Sequence, residues 1–160
     1  MSTQPHVVWD MGGIMFRYFT ELLVDFGRQH GWPMDRLPLG PTGDVHDENY
    51  DRLLAGEFDE PHYLTLVVAG LRAEGIEFDP PRDLNWLGHE RTETWATIER
   101  IHAAGHRQAL LTNDASKWLG PNWWENWPPG KWFDSVIDVS TIGVRKPAPE
   151  TDLASAQALG

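Results

Sequence analysis

The sequence predicts an α/β fold in which a core of strands and helices is interrupted by a helical unit. Two short apolar runs that end on polar residues, His6–Asp10 and Gln108–Leu111, read as strands. Between them lie residues 17–90, whose apolar periodicity is helical with no convincing strand. Beyond the second run the order helix, strand, helix resumes, as an α/β layer architecture requires.

The elements follow from local pattern. Val7, Val8 and Trp9 lead into Asp10 and then Met11-Gly12-Gly13, which reads as a buried strand entering a glycine turn. From Tyr18 the period is that of a helix, with Phe19, Leu22, Leu23 and Phe26 on one face, and Gly31 and Pro33 stop it. Residues 33–46 crowd glycine and proline between Pro38 and Gly43 and read as a loop. Asp47 can cap a helix bearing Tyr50, Leu53 and Leu54, closed by Gly56. Asp59-Glu60-Pro61 starts another, carrying Leu64, Val67, Val68 and Leu71 to Gly75. Pro80-Pro81 is expected to break the chain. Trp95, Ile98, Ile101 and His102 share a helical face that Gly105 closes. Gln108–Leu111 ends at Thr112-Asn113-Asp114, Ser135–Val139 is a further strand, and Glu150–Leu159 a final helix. Trp118, Trp123, Trp124, Trp127 and Trp132 crowd one long connection. They read either as a ligand or partner surface or, the preferred reading, as large anchors that hold an irregular segment on the core.

Composition narrows the function. The 160 residues carry 13 Lys and Arg against 24 Asp and Glu, a formal net charge of −11. Such a surface repels polyphosphate backbones and anionic lipid, so neither a nucleic acid nor a membrane is expected as a partner. The absence of cysteine excludes disulfides, thiolate zinc sites, iron–sulfur clusters and cysteine nucleophiles. The sequence shows no membrane-length apolar run and no signal-peptide pattern, so the expected location is the cytoplasm. No histidine pair has metal-ligand spacing with a third acidic ligand. His102 and His106 are four apart, but Gly105 separates them. Asp44, Asp47 and Glu48 lack the spacing of a calcium loop.

In an open parallel sheet, ligands bind beyond the C-terminal ends of the strands. Asp10, Thr112-Asn113, and Lys146 in Gly143-Val144-Arg145-Lys146-Pro147 fall at or after such ends. A carboxylate can act as nucleophile, a hydroxyl and an amide can hydrogen-bond phosphoryl oxygens, and a lysine supplies charge where anionic charge gathers. Only three lysines occur in the chain, which makes one at that place notable.

These segments resemble the motifs of the haloacid dehalogenase-like (HAD) hydrolase superfamily. Val7 to Phe16 is similar to its first motif, Ala109 to Asn113 to its second and Gly143 to Glu150 to its third. The resemblance implies a Rossmann-like parallel-sheet core, residues 1–16 and 91–160, with residues 17–90 as an inserted helical cap. It implies Asp10 as the nucleophile, Lys146 holding Asp10 and the substrate's charge, and Thr112 and Asn113 binding the phosphoryl group. Gly12 and Gly13 would form the turn that links core to cap, with Gly13 placed against the substrate. Asp10 and the Gly12 carbonyl would face a magnesium ion. Arg17, Tyr18, His46 and Tyr50 would be cap contacts to the substrate.

Two departures bear on the chemistry. Phosphatases of this kind usually carry a second aspartate two positions after the nucleophile, where this chain, like some members that hydrolyse sugar phosphates, has Gly12. The fourth motif, an acidic pair completing the magnesium site, would follow Leu159-Gly160. The resemblance therefore implies a core truncated before that motif, weak magnesium binding, and a chain inactive by itself. The unpaired flank of the first strand would then pair with a second copy, giving a homo-oligomer or an aggregate. Thr151-Asp152 stands where relatives carry an aliphatic–aromatic pair, and Leu153 and Leu159 of the last helix would face little. The leading expectation is a phosphatase of small phosphorylated metabolites working through an aspartyl-phosphate. The alternatives are a metal-independent 2-haloacid dehalogenase-like hydrolase and a catalytically silent binding module. An aspartate-phosphorylated receiver domain ranks below these, because it needs no helical insertion after its first strand.

Overall fold

A computed structural model describes residues 5–84 and 89–160. The chain divides into two compact units, Met1–Phe16 with Glu90–Gly160, and Arg17–His89.

The first unit is built on a three-stranded parallel sheet in the order β1-β2-β3, with β1 Val7–Asp10, β2 Gln108–Thr112 and β3 Ser135–Asp138. Val7 is in register with Gln108 and Asp10 with Leu111, while Ala109 faces Ser135 and Thr112 faces Asp138. The C-terminal ends of all three strands therefore lie side by side. The central strand is buried along its whole length, as a parallel strand covered on both faces must be. β1 is not the buried strand that its apolar run suggests. It is an edge strand whose residues alternate between half-buried and exposed, and Val8 is 44% exposed.

The helices α5 Thr92–Ala103, α6 Ala115–Leu119 and α7 Pro149–Leu159 complete this unit. Met15, Phe16, Ile98 and Leu110 form its core, with Trp9, Trp95, Trp123, Trp127, Trp132 and Phe133 packed against them. The tryptophan-rich connection thus anchors itself on the core. Trp127 meets Trp123 at 5.1 Å and Trp95 at 5.6 Å between ring centroids, both in tilted or edge-on geometry. Expectations for α7 hold for one leucine only. Leu153 is exposed, but Leu159 is buried, and Arg107 donates to its carbonyl. Thr151 is also buried. Its hydroxyl donates to the Ala148 carbonyl, so the polar side chain is satisfied within the first turn.

The second unit is helical: α1 Phe19–Gln29, α2 Glu48–Leu54, α3 Glu60–Ala73 and α4 Pro80–Asp83, with a short 3-10 turn at Gly40–Thr42 inside the expected loop. Asp47 and Asp59 cap α2 and α3, accepting from the Tyr50 and His62 amides. Pro80-Pro81 starts a turn of helix rather than only breaking the chain, since proline lacks just the amide that a first turn leaves unused. Phe19, Leu23, Leu37, Leu39, Leu53, Tyr63 and Leu71 are core residues of this unit. Among the described residues, no helix is long and apolar enough to cross a membrane.

Candidate active site

The C-terminal ends of β1 and β2 bring together the polar residues that the sequence marks. Asp10 ends β1 with its side chain 47% exposed, so its carboxylate is open to a ligand. The Lys146 ammonium lies 2.5 Å from Asp10 Oδ1 and donates to the Leu111 carbonyl at 3.0 Å. The Met11 amide donates to the same Oδ1 at 2.7 Å. Among the described residues no hydrogen bond is made to Oδ2, which leaves one oxygen of Asp10 held and the other free to react.

Thr112 is the buried last residue of β2. Asn113 follows it, and its Oδ1 accepts the Lys146 amide at 2.8 Å. Asn113 therefore fixes the backbone from which the lysine springs, with its amide nitrogen still a donor. Neither Asn113 nor Asp114 caps α6 with its side chain. Asp138 does this work from β3. Its carboxylate accepts the amide and hydroxyl of Ser116, at 2.7 and 2.6 Å, and those of Ser140, at 3.0 and 2.6 Å. Burial favours the neutral acid, but these four donors outweigh it and hold Asp138 below its ordinary pKa.

Gly13 takes φ of 78°, a left-handed conformation that a side chain would strain. The turn is closed by Met15 and Phe16 amides that both donate to the Met11 carbonyl. Arg91 donates from Nε to the Gly13 carbonyl at 2.9 Å, and its amide donates to Met15. Sequence reasoning missed Arg91, Asp114, Asp138 and Arg145. Arg145 Nη1 lies 3.3 Å from Asp114 Oδ2, beside the lysine. Asp114 adjoins the second motif segment and Arg145 lies in the third, which does not show which side chains meet, and Arg91 and Asp138 carry no such signal.

The cap contacts expected at Arg17, Tyr18 and His46 are engaged inside the helical unit. Arg17 pairs with Asp25 at 2.7 Å and Glu21 at 3.4 Å, Tyr18 donates to Glu60 at 3.0 Å, and His46 lies 3.1 Å from Asp51. Tyr50 packs edge-on to Tyr18 and Tyr63.

Among the described residues, the side chains around Asp10 supply fewer oxygen ligands than a magnesium ion takes. Magnesium takes six oxygen ligands in near-ideal octahedral geometry. Here Asp10 already shares Oδ1 with an ammonium and an amide, and among the described residues no three His, Asp or Glu side chains stand together as ligands.

No protein-family model matches the sequence, and no curated protein matches it. Solved structures do. L-2-haloacid dehalogenase from Xanthobacter autotrophicus matches with a TM-score of 0.59 at 19% identity, over 97% of this chain and 64% of that chain. The same enzyme with chloropropionic acid covalently bound matches with a TM-score of 0.58 over the same shares. A hydrolase from Streptococcus pneumoniae matches at 18% identity with a TM-score of 0.43. This chain thus spans slightly less than two thirds of the dehalogenase's length. Its fold is that of the haloacid dehalogenase-like hydrolases: an α/β core of parallel strands and helices.

Proposed function

We propose that this chain carries the reacting centre of a hydrolase that forms an ester on Asp10 with a small anionic substrate. The observation that carries the reading is the Asp10–Lys146 pair at 2.5 Å, set at the strand ends where ligands of open parallel sheets bind. Lys146 and the Met11 amide hold Oδ1, so Oδ2 attacks. The ammonium offsets the negative charge that the carboxylate and an anionic substrate bring together. Thr112 and Asn113 stand beside the pair as hydrogen-bonding groups for the substrate's anionic end.

The leaving group selects the electrophile. Position 12 is glycine, so the residue two places after the nucleophile cannot protonate a departing alkoxide, a service typically worth ~10²–10⁴-fold. A halide leaves without a proton. Together with a fold shared with L-2-haloacid dehalogenase, this favours attack on the halogen-bearing carbon of a 2-halo acid. Oδ2 forms the new carbon–oxygen bond, the carbon–halogen bond breaks, and halide departs with its electron pair. Water then adds to the ester carbonyl, releasing the hydroxy acid and a proton and restoring the Asp10 carboxylate. The second reading is a phosphate monoester, favoured by Thr112, Asn113 and Lys146 as a phosphoryl-binding group.

Chloride release from 2-chloropropionate in the presence of a chelator tests the first reading. Phosphate release from p-nitrophenyl phosphate with added magnesium, lost on chelation, supports the second. Either activity should fall by roughly 10⁴-fold or more in Asp10→Asn. Turnover retained in that variant removes Asp10 from the reaction.

A further inference from the structure

Lys146 reaches Asp10 from a segment with no regular structure, between the 3-10 turn Val139–Thr141 and α7. A long flexible side chain on such a segment meets a carboxylate reproducibly only if its backbone is tied down. Asn113 supplies one tie through the Lys146 amide. The second comes from Asp114. This residue precedes α6, yet its side chain bonds none of that helix's first amides, because Asp138 accepts from Ser116 instead. The carboxylate is only 7% exposed and turns to Arg145, the residue before Lys146, at 3.3 Å. The Arg145 carbonyl accepts the Ala148 amide at 2.9 Å, closing a backbone turn around the lysine, and the guanidinium ties the start of that turn to Asp114.

We propose that Asp114 is a positioning residue: its ion pair with Arg145 holds the segment so that the Lys146 ammonium meets Asp10. Burying a carboxylate is costly unless a partner repays it. Burial pushes the Asp114 pKa up against the pull of Arg145 and Lys117, and Asp138 adds to the rise. The cost is sustained because the pair fixes the lysine, whereas a mere cap would be met by Asn113 or a serine without that burial.

The effect on turnover rests on the hydrolase reading above, but the geometry can be tested without substrate. The chain holds three lysines, Lys117, Lys131 and Lys146. With heavy-nitrogen-labelled lysine, the ammonium resonances are followed by magnetic resonance, and Lys146→Arg identifies the one that disappears. In Asp114→Asn, and independently in Arg145→Gln, the Lys146 signal should move to the position it takes in Asp10→Asn, with Lys131 unmoved. Chloride release should drop in kcat by about tenfold to a hundredfold, with KM little changed. A Lys146 signal that stays at its original position, in a variant whose amide spectrum is otherwise preserved, overturns the proposal whatever the enzyme's substrate. Should Asp114→Asn not fold, the half-exposed Arg145→Gln decides alone.

Discussion

Gln108 shows how much one buried amide can settle. It is fully buried at the start of the central strand. Its Oε1 accepts Trp9 Nε1 at 2.7 Å, and its Nε2 donates to the Ile98 carbonyl at 3.0 Å and the Trp132 carbonyl at 3.2 Å. One side chain thereby joins β1, α5 and the tryptophan-rich connection. Gln108→Leu keeps the volume and strands the Trp9 indole N–H and the Trp132 carbonyl, each costing about 1–3 kcal/mol when left unsatisfied, while the Ile98 carbonyl lies inside the α5 ladder. Denaturant unfolding should show a loss of at least about 2 kcal/mol; a loss within about 0.5 kcal/mol would show that water replaces the amide.

Asp138 and Asp114 act oppositely on acid stability. The hydrogen bonds from Ser116 and Ser140 depress the Asp138 pKa below its unfolded value, so its contribution is complete above that value and fades as pH falls through the folded one. Burial raises the Asp114 pKa, so its folded form binds a proton first and gains stability as pH falls toward the unfolded value. Asp138→Asn should flatten the loss of stability on acidification, and Asp114→Asn should steepen it. Unfolding midpoints measured across the carboxylate range check both signs, and equal slopes in all three proteins would contradict them.

At the scale of elements, the helical unit turns on Asp47. Its carboxylate accepts the Gly40 amide at 2.9 Å, the Tyr50 amide at 3.1 Å and the Tyr63 hydroxyl at 2.5 Å. The cap that the sequence suggests at this position is therefore also the tie between the 3-10 turn, α2 and α3. Burial and the Asp47 hydrogen bond push the Tyr63 pKa well up, which keeps the phenol a donor. Tyr63→Phe should destabilise the unit by about 1–3 kcal/mol, the worth of a hydrogen bond to a charged group. Hydrogen exchange localised to α2 and α3 checks it, and protection unchanged there would rule the tie unimportant.

Helices and strand ends were legible because period and capping are local: α1, α3 and α5 follow from apolar spacing and their flanking Asp or Gly residues. Exposure was not. Val7-Val8-Trp9 reads as buried by hydropathy, yet β1 lies at an edge, and only pairing partners distant in sequence decide that. Leu159 illustrates the converse, a helix-end leucine covered through contacts between α7 and the sheet. At the site, Asp10, Thr112, Asn113 and Lys146 were marked by strand-end position. The second layer of Asp114, Arg145 and Asp138 depends on side-chain directions that spacing does not encode.

Across the whole molecule, an acidic chain places a carboxylate and one of its three lysines together at the ends of parallel strands. Net negative charge elsewhere would slow the approach of the anionic substrate proposed above, so kcat/KM should rise with moderate ionic strength as the field is screened. The central claim is that Asp10 itself becomes esterified at carbon. A single turnover in heavy-oxygen water, with protein in excess over 2-chloropropionate, tests it most directly. Water that opens an ester on Asp10 attacks the carboxyl carbon, so the label enters the Asp10 side chain and is found there by peptide mass spectrometry, with the first hydroxy acid formed unlabelled. Label in the product and none in Asp10 would mean that water attacks the substrate directly, and would contradict the account.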